Sequence, residues 1–384
     1  FGLTVGADGT TVAVGSTFTD TPSTPCSDPF GCGVVHLFER RGSTWNFAAQ
    51  LTYSAAGATA ASEFGSALDI DGDTLLVGAP SDDTVAAAAS GASYVFTRTA
   101  GEWNPTPEAK LEALTPETDD RFGAAVALDN AIAVVGAPDE GFINNPQAGA
   151  AYVYRRNGTW GTPQRIIGLD TDIGDRFGSS VTISGDTIVV GAPEAVANLT
   201  SGSVDRGIAY AFEDRDLNGS WTEEAKLGGV HANGTDSLVD GGIPQAQPAI
   251  AGLGSAVAYD SRTERVVIGV PRGWSSTTGS TAGFYSGDAY SVVRTFGNDL
   301  FFNGWGIHFE VPSATLSGTT DMAYGDAVAL LGDILLAGAP GDKHAGTDTG
   351  AVFVQEGQII PVGGFAAEIW KEINKLTAND AQFG

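Results

Sequence analysis

Apolar residues along this chain alternate with polar ones over short runs, or fill short runs completely, and neither habit follows a helical stripe. One unit recurs. Its clearest copy runs from Asp175 to Leu227: a Phe-Gly pair, a short alternating run, a tight Gly-Asp turn, then an apolar run ending in Gly-Ala-Pro. A polar loop follows, then Gly-Ile-Ala-Tyr-Ala-Phe, a hairpin, a Trp and a Lys-Leu. Aligned on the Phe-Gly pair, copies begin at Phe1, Phe64, Phe122 and Phe177, in weaker form at Leu253 and Tyr324, and the pair returns at Phe383. The apolar runs match in turn, as in TLLVGAP (Thr74 to Pro80), IAVVGAP (Ile132 to Pro138), TIVVGAP (Thr187 to Pro193) and ILLAGAP (Ile334 to Pro340). Six of the seven tryptophans stand at one position of the unit: Trp45, Trp103, Trp160, Trp221, Trp305 and Trp370.

Four strand-like runs per unit predict an all-β fold, a β-propeller of four-stranded antiparallel blades. The repeat count predicts six blades in a single domain over 1–384, with repeats near 1–53, 54–114, 115–170, 171–230, 231–318 and 319–384. The returning Phe383-Gly384 keeps a seven-bladed alternative open, with one blade missing or supplied in trans. Leu-Leu-Val and Ile-Val-Val suit strands buried on both faces. The Gly-Ala after them permits close backbone approach, and the Pro ends the strand. The phenylalanine of each Phe-Gly is expected to anchor one blade on its neighbour. Phe365 to Leu376 has a helical look, but its place in the unit makes it an outer strand.

The pieces Asp-Arg-Phe-Gly at Asp175, Ser-Gly-Asp-Thr-Ile-Val-Val-Gly-Ala-Pro at Ser184, and the Ala-Tyr, Trp and Ala-Lys-Leu that follow them resemble the FG-GAP repeat. That motif builds the propellers of integrin α-subunits and of many bacterial secreted or surface proteins, and the bacterial form is the nearer likeness. The resemblance spans nearly the whole chain. It implies the fold and a secreted or cell-surface location, while function rests on loops grafted onto the fold. In such a location Cys26 and Cys32, which share one polar loop, would form a disulfide; the other reading is two free thiols.

Integrin-type copies carry calcium loops rich in alternate carboxylates. Here the nearest remnant, Asp69-Ile70-Asp71-Gly72-Asp73, is too short and reads as a two-residue hairpin turn. A second candidate is Asp214, Asp216, Asn218, Ser220 and Thr222, with oxygen side chains at alternate places. It lacks a closing acid, since Ala225 stands there. Calcium is therefore a possible ligand and no cofactor is required. Acids after Gly-Ala-Pro (Asp82, Asp83, Asp139, Glu140, Asp342, Asp348) are expected to be solvated loop charges.

A net charge of −27, from 19 basic and 46 acidic residues, argues against nucleic acid or an anionic membrane surface as partner. No run reaches membrane-spanning length. His36, His231, His308 and His344 are scattered, and no catalytic motif joins them. The unusual features are aromatics of the fifth copy: Trp274, Phe284, Tyr285, Phe301 and Phe302. Exposed, they suit sugar stacking or a protein contact; the alternative is packing within long insertions. The chain is thus expected to be a non-enzymatic extracellular binding module for adhesion, scaffolding or assembly, with a protein or glycan ligand or self-association. Two other readings stay open: an extracellular polysaccharide-directed enzyme with its site at the channel, and a structural subunit of an extracellular polymer.

Overall fold

A computed structural model describes residues 2–17, 33–52, 62–84, 87–141, 147–199, 202–205, 207–215, 219–227, 252–271, 288–296, 303–310, 323–342, 350–362 and 365–377. Every regular element among them is a strand. The fold is all-β, a β-propeller of four-stranded antiparallel blades. The chain divides into two compact units, Phe1–Asp186 with Asp214–Thr222, and Thr187–Glu213 with Glu223–Gly384.

In the first unit the strands Thr4–Asp8, Thr11–Ser16, Val34–Arg41 and Thr44–Thr52 pair in chain order. The next sheet begins Ala67–Asp71, Thr74–Ala79, Ala92–Thr99, and the one after it Ala125–Asp129, Ile132–Ala137, Ala150–Asn157. In both of these the fourth strand is split. Glu102–Trp103 and Ala109–Leu111 both pair with Ala92–Thr99, and Thr159–Trp160 and Gln164–Ile166 both pair with Ala150–Asn157. The break falls on Pro105 and Pro107 in one and Pro163 in the other, residues with no amide hydrogen to give a ladder. Thr44–Thr52 has no proline and stays whole, with a bulge opposite Leu37 and Phe38.

The second unit repeats the plan. Thr187–Ala192 pairs with Ile208–Glu213, and Val196–Leu199 forms an extra hairpin with Gly202–Asp205. Ala256–Asp260, Arg265–Val270, Asp288–Phe296 and Asn303–Glu310 follow in order, then Val328–Leu331, Ile334–Ala339, Ala351–Val362 and Phe365–Leu376. Phe365–Leu376 is a strand of 12 residues, as its place in the repeat predicts.

The Phe-Gly pair is a clasp between consecutive sheets. The phenyl ring of Phe122 is fully buried and meets Tyr152 and Tyr154 of its own repeat at 5.4 and 6.3 Å between ring centres. It also packs in one cluster with Leu76, Val95 and Leu111 of the preceding repeat. Its backbone bridges to Gly91, which opens the preceding repeat's third segment, and the Phe122 amide donates to Ser90 O at 2.9 Å. Phe177 repeats this on Gly149, and in the second unit Leu253 repeats it on Gly207.

Glycine is needed on both sides of the clasp. The Gly123 amide donates to Gly136 O of its own repeat. The Gly123 carbonyl lies so close to Gly78 of the preceding repeat that a methyl group there would stand 2.0 Å from that oxygen. The residue before the aromatic ring pays for this fit with a left-handed backbone: Glu63, Arg121, Arg176 and Ala323 have φ of 54°, 56°, 56° and 50°. Each costs about 1–2 kcal/mol, offset by burial of the following ring, about 1.5–3 kcal/mol.

Candidate functional site

The loop joining the second and third strands leaves each Gly-Ala-Pro, and its base is closed the same way in successive repeats. The Asp82 amide donates to Ala79 O, and Asp82 O accepts the Gly91 amide at 2.9 Å. Glu140 stands between Ala137 and Gly149 likewise, Ala195 between Ala192 and Gly207, and Asp342 between Ala339 and Gly350.

Three of these residues add a side-chain clamp. The Tyr94 hydroxyl donates to Asp82 Oδ2, and Lys110 Nζ lies 3.2 Å from the same oxygen. The Tyr152 hydroxyl donates to Glu140 Oε2 at 2.7 Å, and Arg165 Nε donates to Oε1 at 2.6 Å. Lys375 Nζ donates to Asp342 Oδ2 at 2.8 Å; Phe353 replaces the tyrosine, and the ammonium lies 4.8 Å from its ring centre. So Asp82, Glu140 and Asp342 are not solvated loop charges. They are 2–3% exposed, because a cation from the fourth strand reaches each one. Burial raises the Asp82 carboxyl above its usual range, opposed by Tyr94 and Lys110.

A second carboxyl lies beside one clamp. Asp120, of the Asp-Arg-Phe-Gly turn, is 2% exposed and accepts the Glu117 amide at 2.6 Å. Burial, then repulsion from Glu140 and Glu117, lifts it to about 7 against the pull of that amide.

The turn carboxylates also have work inside the fold. Asp8 accepts the Gly72 amide, Asp71 the Asn130 amide, Asp129 the Gly185 amide, and in the second unit Asp260 the Gly332 amide, at 2.5–2.8 Å. Asp71 and Thr74 pair across Gly72 and Asp73, the two-residue turn the sequence implies. Asp69 accepts the Leu128 and Ile70 amides, yet burial raises its pKa to about 6.

These shifts set a pH dependence. Asp69 and Asp120 hold their protons more tightly folded than unfolded. Their contribution is full below the ordinary carboxylate pKa near 3.8 and is lost as pH rises through about 6 and about 7. Asp69 alone amounts to about 3 kcal/mol. Asp260 acts oppositely: the Arg262 side chain lowers it to about 2, so its contribution is lost between about 4 and 2. The melting temperature is expected to fall by several degrees from pH 4.5 to 7.5, and calorimetry across that range checks it.

Of the calcium candidates, Asp214 is 1% exposed, and its Oδ2 accepts Arg155 Nη2 at 2.6 Å and the Gly219 amide at 2.9 Å. Ser220 and Thr222 are exposed, and Asp216 and Asn218 lie outside the described residues. Among the described residues no group of three His, Cys, Asp or Glu is placed to hold a metal. Cys26, Cys32, Trp274, Phe284, Tyr285, Phe301 and Phe302 lie outside the described residues. In the sequence, 272–287 precede the strand Asp288–Phe296 and 297–302 follow it. The first is the fifth repeat's second-to-third-strand loop.

Sequence reasoning missed the clamp and one groove. The groove, of about 340 Å³, is lined by Glu108, Lys110, Glu112, Tyr154, Thr159 and Trp160. The recurring cations Lys110, Arg165, Lys226 and Lys375 were the signal for the clamp.

The repeat profile that fits this geometry is the FG-GAP repeat, matched over residues 45–96, 105–154 and 160–212. Three FG-GAP repeats thus stand in this chain. The matched stretches hold the clearest clasps and the Asp82 and Glu140 clamps. A search of curated proteins finds no match. Among solved structures the FG-GAP chain is similar to the Pseudomonas aeruginosa periplasmic gluconolactonase PpgL, at 12% identity and a TM-score of 0.50, over 97% of this chain and 84% of that one. A likeness at that identity is one of fold.

Proposed function

We propose that this FG-GAP propeller, with six blades by repeat count, is a secreted or cell-surface binding module for a protein or glycan. Its ligand is taken by the loops between second and third strands. The observation that carries this reading is the buried clamp: Asp82, Glu140 and Asp342 fix loop bases to the sheets, so the residues beyond vary without cost to the core. The same loop in the fifth repeat carries Trp274, Phe284 and Tyr285, whose rings suit sugar stacking or a protein contact. An extracellular setting would let Cys26 and Cys32 pair. Calcium is not required in this reading, since Asp214 already serves Arg155 and Gly219.

A second reading, an extracellular enzyme, has one observation in favour. Asp120 is held near 7 beside Glu140, a pKa suited to general acid–base work at neutral pH. The name of the Pseudomonas protein makes a sugar lactone a substrate to try.

The test is binding of the full chain to arrays of extracellular glycans and proteins, with calcium and with EDTA. Saturable binding is expected in both, with equal melting temperatures. Trp274→Ala with Tyr285→Ala should abolish it without changing the melt, and Phe301→Ala with Phe302→Ala should leave it intact. Turnover of a lactone or polysaccharide that Asp120→Asn abolishes, with no saturable binding, overturns the first reading in favour of the second.

A further inference from the structure

Among the described residues, nothing fills the clasp of the sixth repeat. Its Gly338, Ala339, Gly350 and Ala351 occupy the positions that Gly78, Ala79, Gly91 and Ala92 hold in the second repeat, where Phe122-Gly123 is seated. Instead of a Phe-Gly pair, a cavity of about 580 Å³ lies over them, lined also by Val352 and Leu376. Among the described residues, a methyl group on Gly338 would meet Ala327 of its own repeat, at 3.5 Å. The sheet face around the cavity is bare by comparison. Leu336 and Leu376 are 39% and 50% exposed, while their counterparts Leu76 and Leu111 are 0% and 3% exposed beneath Phe122.

We propose that this cavity is a docking slot for the chain's own Phe383-Gly384. The occupant follows from a rule the described clasps obey: each slot is filled by the next such pair in the chain. Phe64 sits on Gly33, Phe122 on Gly91, Phe177 on Gly149, and Leu253 on Gly207. After the slot at Gly350, the next pair is Phe383-Gly384. Leu376 and Thr377 line the cavity, and residues 377–382 form a connection that reaches about 20 Å at most, enough to turn back onto the same sheet. An apolar cavity flanked by exposed Leu336, Val352 and Leu376 suits an aromatic ring, and the two glycines leave room for its backbone.

Methyl NMR of the full chain with labelled leucine and valine tests this. Phe383→Leu should keep the fold, since Leu253 already fills one such slot. It removes the ring current, so the methyl resonances of Leu336, Val352 and Leu376 are expected to shift, with those of Leu76 and Leu111 unchanged. Phe1→Leu should leave the first three in place, and their positions should not depend on protein concentration. Unchanged resonances in Phe383→Leu overturn the proposal. So does a shift of these three in Phe1→Leu, which would assign the slot to the first repeat. Concentration-dependent positions would assign it to a second copy and overturn it equally.

Discussion

Alanine at Gly78 is expected to lower the stability of the chain by about 3 kcal/mol or more, for the addition of one methyl group. The added carbon would stand 2.0 Å from the Gly123 carbonyl oxygen and 3.1 Å from its carbon. Both are backbone atoms, so no flexible side chain can swing away. Relief requires moving Gly123, which is held by the hydrogen bond its amide donates to Gly136 O and by Phe122 in the adjacent slot. Gly72→Ala is the control. Gly72 has a left-handed backbone, with φ of 57°, but nothing lies within 4 Å of its missing Cβ. Alanine there costs only the conformational term, about 1–2 kcal/mol. Urea denaturation of the two variants should rank them with Gly72→Ala the milder; equal midpoints would mean that the sheets are not locked at Gly78.

Glu140→Ala is expected to cost about 3 kcal/mol. The carboxylate carries both the Tyr152 hydroxyl and Arg165 Nε, and its loss leaves a buried hydroxyl and a mostly covered guanidinium without it. Arg165 keeps a quarter of its side chain in water, which places the cost at the lower end for a broken buried pair. The same change removes a repulsion from Asp120, so the Asp120 pKa should fall from about 7. Stability should therefore depend less on pH between about 4 and 7 in the variant than in the parent. A variant that loses stability with an unchanged pH profile would show that Glu140 does not act on Asp120.

The Phe-Gly and Gly-Ala-Pro pieces were legible in the sequence because steric exclusion permits few residues there. A methyl group at Gly15, Gly78, Gly136 or Gly269 would meet a carbonyl at 2.0–2.1 Å, so the chain keeps glycine and the repeat stands out. The left-handed residues before the rings left only a partial trace, since Arg121 and Arg176 repeat but Glu63 and Ala323 share no chemistry with them. The clamp was obscured differently. Asp82, Tyr94 and Lys110 come from three separate strands and loops, and elsewhere Glu, Phe and Arg stand in for them. Acids after Gly-Ala-Pro looked like solvent-facing charges because their partners lie a strand or two away. The split fourth strands were half visible: Pro105, Pro107 and Pro163 mark the breaks, yet Trp103 and Trp160 still pair on the near side of them.

The central claim is that Phe-Gly clasps lock consecutive sheets together within each unit. Native-state amide hydrogen exchange on the full chain tests it most directly. The amides of Phe122, Phe177, Gly65 and Gly123, which donate to Ser90, Ala148, Gly78 and Gly136 at 2.9 Å, should exchange only by global unfolding. The turn amides of Gly42 and Gly101, residues whose missing Cβ would meet nothing within 4 Å, should exchange fast. Clasp amides that exchange as fast as the turns, while the strands stay protected, would contradict the account and leave each sheet to stand alone.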